Sequence, residues 1–170
     1  MENKTIKPWN ALAFFEGVVA HNKLCLEKDF RCRAISGLEG LEEALASIQN
    51  TPNMVMVAEN AAGYTMFENT PHTRKIRTVF IAMRHQHDDM AARQRCMDII
   101  FEIHRQFCSR LIQERTRLEQ NMQYLNPQVT LQEVSRYLVP DTAICMFELS
   151  VDTYIDLSYN PEEWNTTPTN

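Results

Sequence analysis

Glycine is scarce in this sequence, and the common glycine-rich motifs are missing. Only four of the 170 residues are glycine, and neither GxxxxGK(S/T) nor GxGxxG occurs. A loop that wraps a phosphate needs glycine at several fixed positions, so no phosphate-binding loop is expected. The hydrolase and protease motifs GxSxG and HExxH do not occur either. Because these signals are missing, we predict a protein that is not an enzyme, with no catalytic residues and no cofactor.

Paired cysteines and long apolar runs are missing as well. The five cysteines form no CxxC pair and are odd in number, which is typical of free thiols in a reducing compartment. No apolar run approaches the roughly 20 residues of a membrane-spanning helix. The N-terminal segment ALAFFEGVVA is interrupted by Glu16 and has no clear cleavage site, so no signal peptide is expected. These features favour a soluble, cytoplasmic protein that has no membrane partner.

Basic residues are outnumbered, and the two charge signs are unevenly distributed. The formal net charge is −5, which argues against direct binding to nucleic acid because phosphate neutralisation needs a basic surface. Residues 71–95 nevertheless contain six basic and two acidic residues, whereas residues 140–170 contain six acidic residues and no lysine or arginine. Two interpretations stay open. The two regions pair within one sheet, or they are opposite poles of a subunit that meet in a head-to-tail assembly.

Chain length and composition indicate one folded domain. Hydrophobic residues make up 44% of the 170 positions and charged residues 23%, which is ordinary globular composition. A chain of this length buries one sizeable core but has no room for two ordinary domains. We predict a single α+β domain over residues 1–160 and a polar C-terminal tail over residues 161–170.

Apolar periodicity predicts the elements in the first half of the chain. A spacing of three to four residues predicts helices at 8–21 and 38–50, the second with an S-x-x-E capping box at Ser36 and Glu39. Alternation predicts a strand or hairpin between these two helices. Three further strands are predicted at residues 54–59, 64–68 and 76–85. Because short turns join the last three, we expect an antiparallel meander.

The segment RHQHDD, at residues 84–89, has two competing interpretations. In the first, a strand ends and Asp88 and Asp89 cap the following helix, where carboxylates accept free backbone N–H groups. In the second, His85 and His87 bind a metal ion and a third ligand comes from elsewhere, with His72 the nearest candidate. The capping interpretation explains the whole segment and is favoured, so no metal site is predicted.

The longest helical and strand patterns follow this segment. Apolar residues at three- to four-residue spacing predict a helix to about residue 121, which either breaks near Ser109 or projects outward at its end. Residues 122–140 are predicted to form a loop with one helical turn. Residues 144–159 then alternate, which predicts a long strand with Phe147 on its buried face and carboxylates on the other.

Three segments carry a pattern that extends over most of the chain. These are NMVMVAEN, RKIRTVFIAMRHQHDD and CMFELSVDTYIDLSY, which span about residues 53–159. In their order they resemble the tail-terminator and neck proteins of long-tailed bacteriophages and prophages. The resemblance implies an α+β fold with an antiparallel sheet of four to five strands, two or three helices packed on one face, and one long central helix. It also implies a non-enzymatic structural protein that forms homo-oligomers, including rings, and binds other phage tail or neck proteins.

On this resemblance, the uneven charges predict an interface between subunits. A basic strand of one subunit would meet an acidic strand of its neighbour, because a heterologous contact that closes into a ring needs complementary patches. The predicted interface residues are Arg74, Lys75, Arg77 and Arg84 on one side and Glu148, Asp152 and Asp156 on the other.

Two other functional classes stay open. One is an intracellular binding or regulatory module that dimerises, for example through its long helix. The other is a small metal-dependent hydrolase that uses His85 and His87. Cys108 and His104 lie one helical turn apart and would suit a nucleophilic pair, but residues at this spacing on an apolar stripe are better explained as core.

Overall fold

The structure, a computed structural model, describes residues 6–36, 53–58, 62–86, 88–134 and 141–164. Its elements are α1 (Ala11–His21), α2 (Lys23–Glu27), β1 (Arg31–Ile35), β2 (Met54–Ala58), β3 (Gly63–Met66), β4 (His72–Arg84), α3 (Met90–Glu119), β5 (Gln123–Leu125), β6 (Thr130–Glu133), β7 (Thr142–Tyr154) and a 3-10 helix (Pro161–Glu163). None of the helices described here combines the length and apolarity needed to cross a membrane. The predicted helix at residues 38–50 lies outside these ranges.

All seven described strands belong to one sheet, whose main path is β1-β2-β4-β7-β5. The predicted α+β class, with one long helix, is confirmed. The sheet has more strands than the four to five expected, and it is mixed, because β1 pairs with β2 in parallel. A parallel pair needs a connection of a dozen or more residues, and the chain between these two strands is long enough.

The predicted meander of β2, β3 and β4 is wrong. β2 pairs with Thr78–Ala82 of β4, and β3 pairs with His72–Lys75 of the same strand. Since β7 occupies the other edge of β4 along its whole length, β2 and β3 lie end to end on the remaining edge. This arrangement is possible because β4 begins four residues earlier than predicted and is 13 residues long.

The main core lies between one face of the sheet and the two longer helices, α1 and α3; we call this side of the sheet the helix face. Phe15 of α1 contacts Phe107 of α3 at 5.6 Å and Phe147 of β7 at 5.9 Å between ring centroids. Alternate residues of β7 are buried in this core: Cys145, Phe147, Leu149 and Val151. The predicted alternation of the last strand is therefore confirmed. The strand ends at Tyr154, however, and Leu157 beyond it is 47% exposed.

A second, smaller apolar cluster lies on the opposite face of the sheet. Its buried members come from four adjacent strands: Ile35, Met54, Met56, Ala58, Phe80, Ala82 and Ile144. All five residues of β2 are buried, as expected for a central strand with both faces covered. The other half of this opposite face carries aromatic and charged side chains.

The long helix α3 is continuous and ends against the body of the protein. It runs for 30 residues from Met90 to Glu119, so the expected break near Ser109 is wrong. Its last turn does not project, because Leu118 is buried in the main core together with Leu125 of β5. The chain turns sharply after the helix, which allows β5 to pack beside the last helical turn.

The predicted cap of α3 is confirmed. Asp89 is the N-cap residue, and its side chain accepts a hydrogen bond of 2.8 Å from the backbone N–H of Ala92. Asp88, immediately before it, has a φ of 54° and belongs to the link between β4 and the helix. The carboxylate of Asp89 thus satisfies one of the free N–H groups at the start of α3.

Replacing Asp89 with alanine is expected to lower the free energy of unfolding by about 1 kcal/mol, the usual cost of losing an N-cap acceptor. Asp89→Asn keeps an oxygen in the same position and should stay close to the wild type. Urea unfolding of the three proteins measures the difference. Equal stability of Asp89→Ala and the wild type would contradict the capping role.

Three smaller predictions also need correction. The segment at 23–36 is not one strand or a hairpin, because Lys23–Glu27 forms the short helix α2, capped by the side chain of Asn22, and only the remainder forms β1. The helical turn expected near 131–138 is replaced at its start by strand β6. Helix α1 begins after Asn10, whose side chain caps it, rather than at Pro8.

Candidate interaction surface

The seven charged residues predicted as an interface do not form one patch. Strand register places Arg74, Arg84, Glu148 and Asp152 on the sheet face opposite the helices. Lys75 and Arg77 point to the helix face, because they lie beside Val151 and Leu149 of the main core. Asp156 lies beyond the end of β7. Whether these residues contact a neighbouring subunit stays a prediction.

Arg74 and Asp152 form an ion pair within the chain. Two hydrogen bonds, each 2.6 Å long, join the Arg74 guanidinium to the two carboxylate oxygens of Asp152. These side chains are only 28% and 17% exposed, and the hydrogen bonds to Asp152 raise the pKa of Arg74. The interpretation that the basic and acidic regions pair within one sheet is confirmed for these two residues. Their charges neutralise each other, so Lys75, Glu148 and Asp156 are the more available groups for a partner.

The Arg74–Asp152 pair belongs to a row of four side chains that crosses four strands. Tyr64 of β3 lies beside Arg74, and Tyr124 of β5 lies beside Asp152. The Arg74 guanidinium stands 5.2 Å from the centre of the Tyr64 ring, a distance at which cation–π attraction operates. The two tyrosines therefore flank a charge pair that is held in a fixed geometry.

A second row lies next to the first and adds Met66, His72 and Tyr154. We call the two rows together the aromatic face: Tyr64, Met66, His72, Arg74, Tyr124, Asp152 and Tyr154. Both Tyr64 and Tyr124 are 44% exposed, and Met66 and Tyr154 are exposed to a similar degree. Tyrosine, methionine and arginine are enriched in the centres of protein interfaces, where rigid side chains lose little entropy on binding.

Sequence reasoning missed most of the aromatic face. The alternation of YTMFE predicts that Tyr64 and Met66 share one side of a strand, and this signal was present. Tyr124, by contrast, lies in a segment for which the sequence predicts a loop. The pairing of β5 with β7 brings it beside Asp152, 28 residues away in sequence, and no local pattern indicates that pairing.

An open cleft borders the aromatic face at the end where β4 begins. Its volume is about 360 Å³, and its lining includes Thr70, His72, Met122, Tyr124 and Tyr154. The Nδ1 atom of His72 lies 2.9 Å from the carbonyl oxygen of Thr70 and donates to it, while Nε2 lies 4.0 Å from an Asp152 oxygen. Thr70 has a φ of 76°, which is strained for a β-branched residue. The hydrogen bond from His72 thus holds the turn that leads into β4.

The residues considered for metal binding or nucleophilic chemistry do not come together into a larger cluster. Within the described ranges no group of three or more His, Cys, Asp or Glu side chains is placed to hold a metal ion. His85 makes a 2.9 Å hydrogen bond to the carbonyl oxygen of Gln86, and His87 lies outside the described residues. The favoured cap interpretation accounts for the acidic part of this segment.

The Cys108–His104 pair is formed but is not activated. The Cys108 sulfur lies 3.5 Å from Nε2 of His104, and the imidazole packs on Phe147 at 4.9 Å. Burial raises the pKa of the Cys108 thiol and lowers the pKa of His104. Both shifts favour the neutral thiol and imidazole over a thiolate–imidazolium pair, so this pair behaves as part of the helix packing.

Comparison with known proteins does not assign the chain to a family. No protein-family model matches the sequence, and a search of curated proteins finds no significant match. The exposed surfaces of the protein, above all the aromatic face, are therefore the features that bear on its function.

Proposed function

We propose that this protein is a non-enzymatic assembly protein that resembles the tail-terminator and neck components of long-tailed phages and prophages. In this proposal, copies of the chain associate into a homo-oligomer, a closed ring being the natural form, and the ring contacts other tail or neck proteins. The protein would act in the cytoplasm of the host cell and then in the virion. The single observation that supports the proposal most is the exposed aromatic face.

The aromatic face has the physical properties of a protein-binding surface. Its aromatic and methionine side chains are exposed, although equally large residues of the neighbouring central strands, such as Met56 and Phe80, are buried. Arg74 and Asp152 are already paired, so a partner that covers them does not leave an unmatched charge. The row of Tyr64, Arg74, Asp152 and Tyr124 lies on four hydrogen-bonded strands, so its backbone is rigid. A rigid surface loses less conformational entropy on binding.

The charged residues outside the face favour a second copy of this chain as the partner. Glu148, Asp156, Glu162 and Glu163 are exposed, and within the described part of the chain none forms an ion pair. Lys75 is exposed on the other side of the sheet. A head-to-tail contact brings different surfaces of two identical subunits together, so it can join this acidic end to the basic side of a neighbour.

Sedimentation velocity tests the proposal directly. We expect an oligomer larger than a dimer at low salt, with partial dissociation at high salt, because exposed ion pairs are screened. Negative-stain electron microscopy of the same samples should show rings. A monomer at every protein and salt concentration would remove the proposal.

Truncating the aromatic face should weaken association without unfolding the protein. Tyr124→Ala and Tyr154→Ala together are expected to raise the dissociation constant by at least tenfold, a typical result for central tyrosines in an interface. Leu26→Ala is the matched control, since Leu26 is a large apolar residue of α2 that is at least as exposed but lies far from the face. Similar effects of the two changes on sedimentation would show that the aromatic face is not the contact.

A further inference from the structure

The long helix α3 carries a second apolar surface that does not cover the sheet. Ile103, Phe107 and Leu111 of this helix are buried in the main core. Phe101 and Ile112 lie on the flank of the same helix and remain exposed, Ile112 to 71%. Cys108, between them, is half-buried. An exposed isoleucine and phenylalanine in one line along a charged helix are not explained by the fold of the monomer.

Strand β6 extends this flank. Leu131 lies beside Phe147 in the strand register and is exposed, although it points toward the helix side of the sheet. Phe147 in turn contacts His104 of α3. An ion pair of 2.7 Å between Arg93 and Glu133 fixes β6 to the start of the helix. We call the resulting surface the α3 strip: Phe101, Cys108, Ile112 and Leu131.

The residue spacing along this side of α3 is the same in both directions. Positions 98, 101, 105, 108, 112 and 115 are separated by three, four, three, four and three residues, so they follow one side of a helix. Two such helices that cross antiparallel about a two-fold axis between positions 105 and 108 place each residue opposite a defined partner. Phe101 of one copy then faces Ile112 of the other, and Asp98 faces Arg115.

The charges along this line are complementary in that register. Asp98 and Arg115 are 17 positions apart in sequence, about 26 Å along the helix, and a two-fold axis creates the Asp98–Arg115 contact twice. Within its own chain Arg115 donates to Glu119 through Nε at 2.9 Å, so its terminal guanidinium nitrogens would make the contact to Asp98 of the partner.

Near the axis, Arg105 is neutralised by two hydrogen bonds to Glu102, of 2.8 and 2.7 Å. In this register Arg105 of one copy faces the half-buried Cys108 of the other. Because Glu102 already pairs with its charge, the aliphatic part of the Arg105 side chain can cover that cysteine without repulsion between the two arginines near the axis.

From these observations we infer that α3 binds the α3 of a second copy of this chain in an antiparallel, two-fold contact. Phe101 and Ile112 supply the apolar centre, and Asp98 and Arg115 fix the register at both ends. A second copy of this chain is the partner that fits, because α3 itself carries both residues of each pair, Phe101 with Ile112 and Asp98 with Arg115. Such a contact is isologous and closes at two copies.

This contact uses a different surface from the proposed ring. Its apolar centre, Phe101 and Ile112, lies on the helix side of the sheet, whereas the aromatic face lies on the other side. The two surfaces meet at one end, where the Arg115 guanidinium lies 5.4 Å from the centre of the Tyr124 ring. If the protein uses both surfaces, the helix contact would join two rings. If the ring contacts are removed by mutation, the helix contact alone would leave dimers. The two proposals can therefore fail separately.

A charge exchange tests the register of the helix pair. In the full chain carrying Tyr64→Ala and Tyr154→Ala, which truncates the aromatic face but keeps Tyr124 beside Arg115, we expect a dimer by sedimentation equilibrium. Asp98→Arg and Arg115→Asp should each raise the dimer dissociation constant at least tenfold, since each change brings two like charges together twice. The double variant should return to within about threefold of the parent chain, because it restores opposite charges.

The control is Glu16→Arg, the same kind of change at an exposed position of α1, which should leave dimerisation unchanged. Circular dichroism checks that each variant is folded. Ile112→Glu provides a second variant. It places a carboxylate against Phe101 of the other copy and should abolish the dimer, and no charge exchange at positions 98 and 115 should restore it. A monomeric parent chain, single variants that dimerise as tightly as the parent, or a double variant no tighter than the single ones would each overturn the inference.

Discussion

Phe147→Ala is expected to lower the free energy of unfolding by about 3–5 kcal/mol, the usual cost of truncating a fully buried phenylalanine. Phe147 is inaccessible to solvent in the middle of β7. Its ring contacts Phe15 of α1 and His104 of α3, so it joins both helices to the sheet. A cavity at this point is bordered by three elements that cannot all move inward, and the loss should therefore be near the upper end of the range. Urea unfolding followed by circular dichroism measures it.

Leu157→Ala is the control for this prediction. The sequence places Leu157 on the same alternating stripe as Phe147, but in the structure it lies beyond the strand and is half-exposed. Its truncation should change stability by less than about 0.5 kcal/mol, as for most surface positions. If both variants lost similar amounts of stability, the position of the strand end and of the core would be wrong.

Gly63→Ala is expected to destabilise the protein by about 1–3 kcal/mol and to detach β3 from the sheet. A Cβ atom at Gly63 would lie 2.2 Å from the backbone carbonyl oxygen of Arg74. The obstacle is backbone in a paired strand and cannot rotate away. Because Tyr64 follows Gly63 directly, the variant should also lose the ring that covers Arg74 and should self-associate more weakly than the wild type.

Gly17→Ala provides a control with the opposite sign. Gly17 lies inside helix α1, and a Cβ atom there meets no other atom within 4 Å. Alanine should therefore stabilise the helix by about 0.5–1 kcal/mol, because glycine loses more backbone entropy on folding. Thermal unfolding of the two variants measures both effects. A Gly63→Ala protein as stable as Gly17→Ala would contradict the close approach of β3 and β4.

The sequence predicts best the elements whose residues contact one another locally. The start of α3 follows from Asp89 and the apolar spacing behind it, and the buried side of β7 follows from strict alternation around Phe147. Both signals arise within a few residues of chain, where hydrogen bonding and side-chain direction repeat with a fixed period. The α+β class follows from the order of such elements.

Pairing between distant segments is what the sequence did not predict. β6 was expected to contain a helical turn, and Tyr124 was expected to lie in a loop, yet both segments pair with β7. Short strands of three or four residues have too few alternations to be recognised. Their conformation is set by the neighbouring strand that supplies hydrogen bonds.

By itself, the sequence determined the α+β class of this chain, its long capped helix and its long final strand buried on one side. Only the tertiary structure decided that Arg74 lies against Asp152, that three strands place tyrosines around this pair, and that Ile112 stays exposed on a helix with a buried core side. Periodicity shows which side of a segment is buried but not which segment lies next to it. That choice depends on contacts between residues far apart in sequence, and these contacts create both proposed binding surfaces.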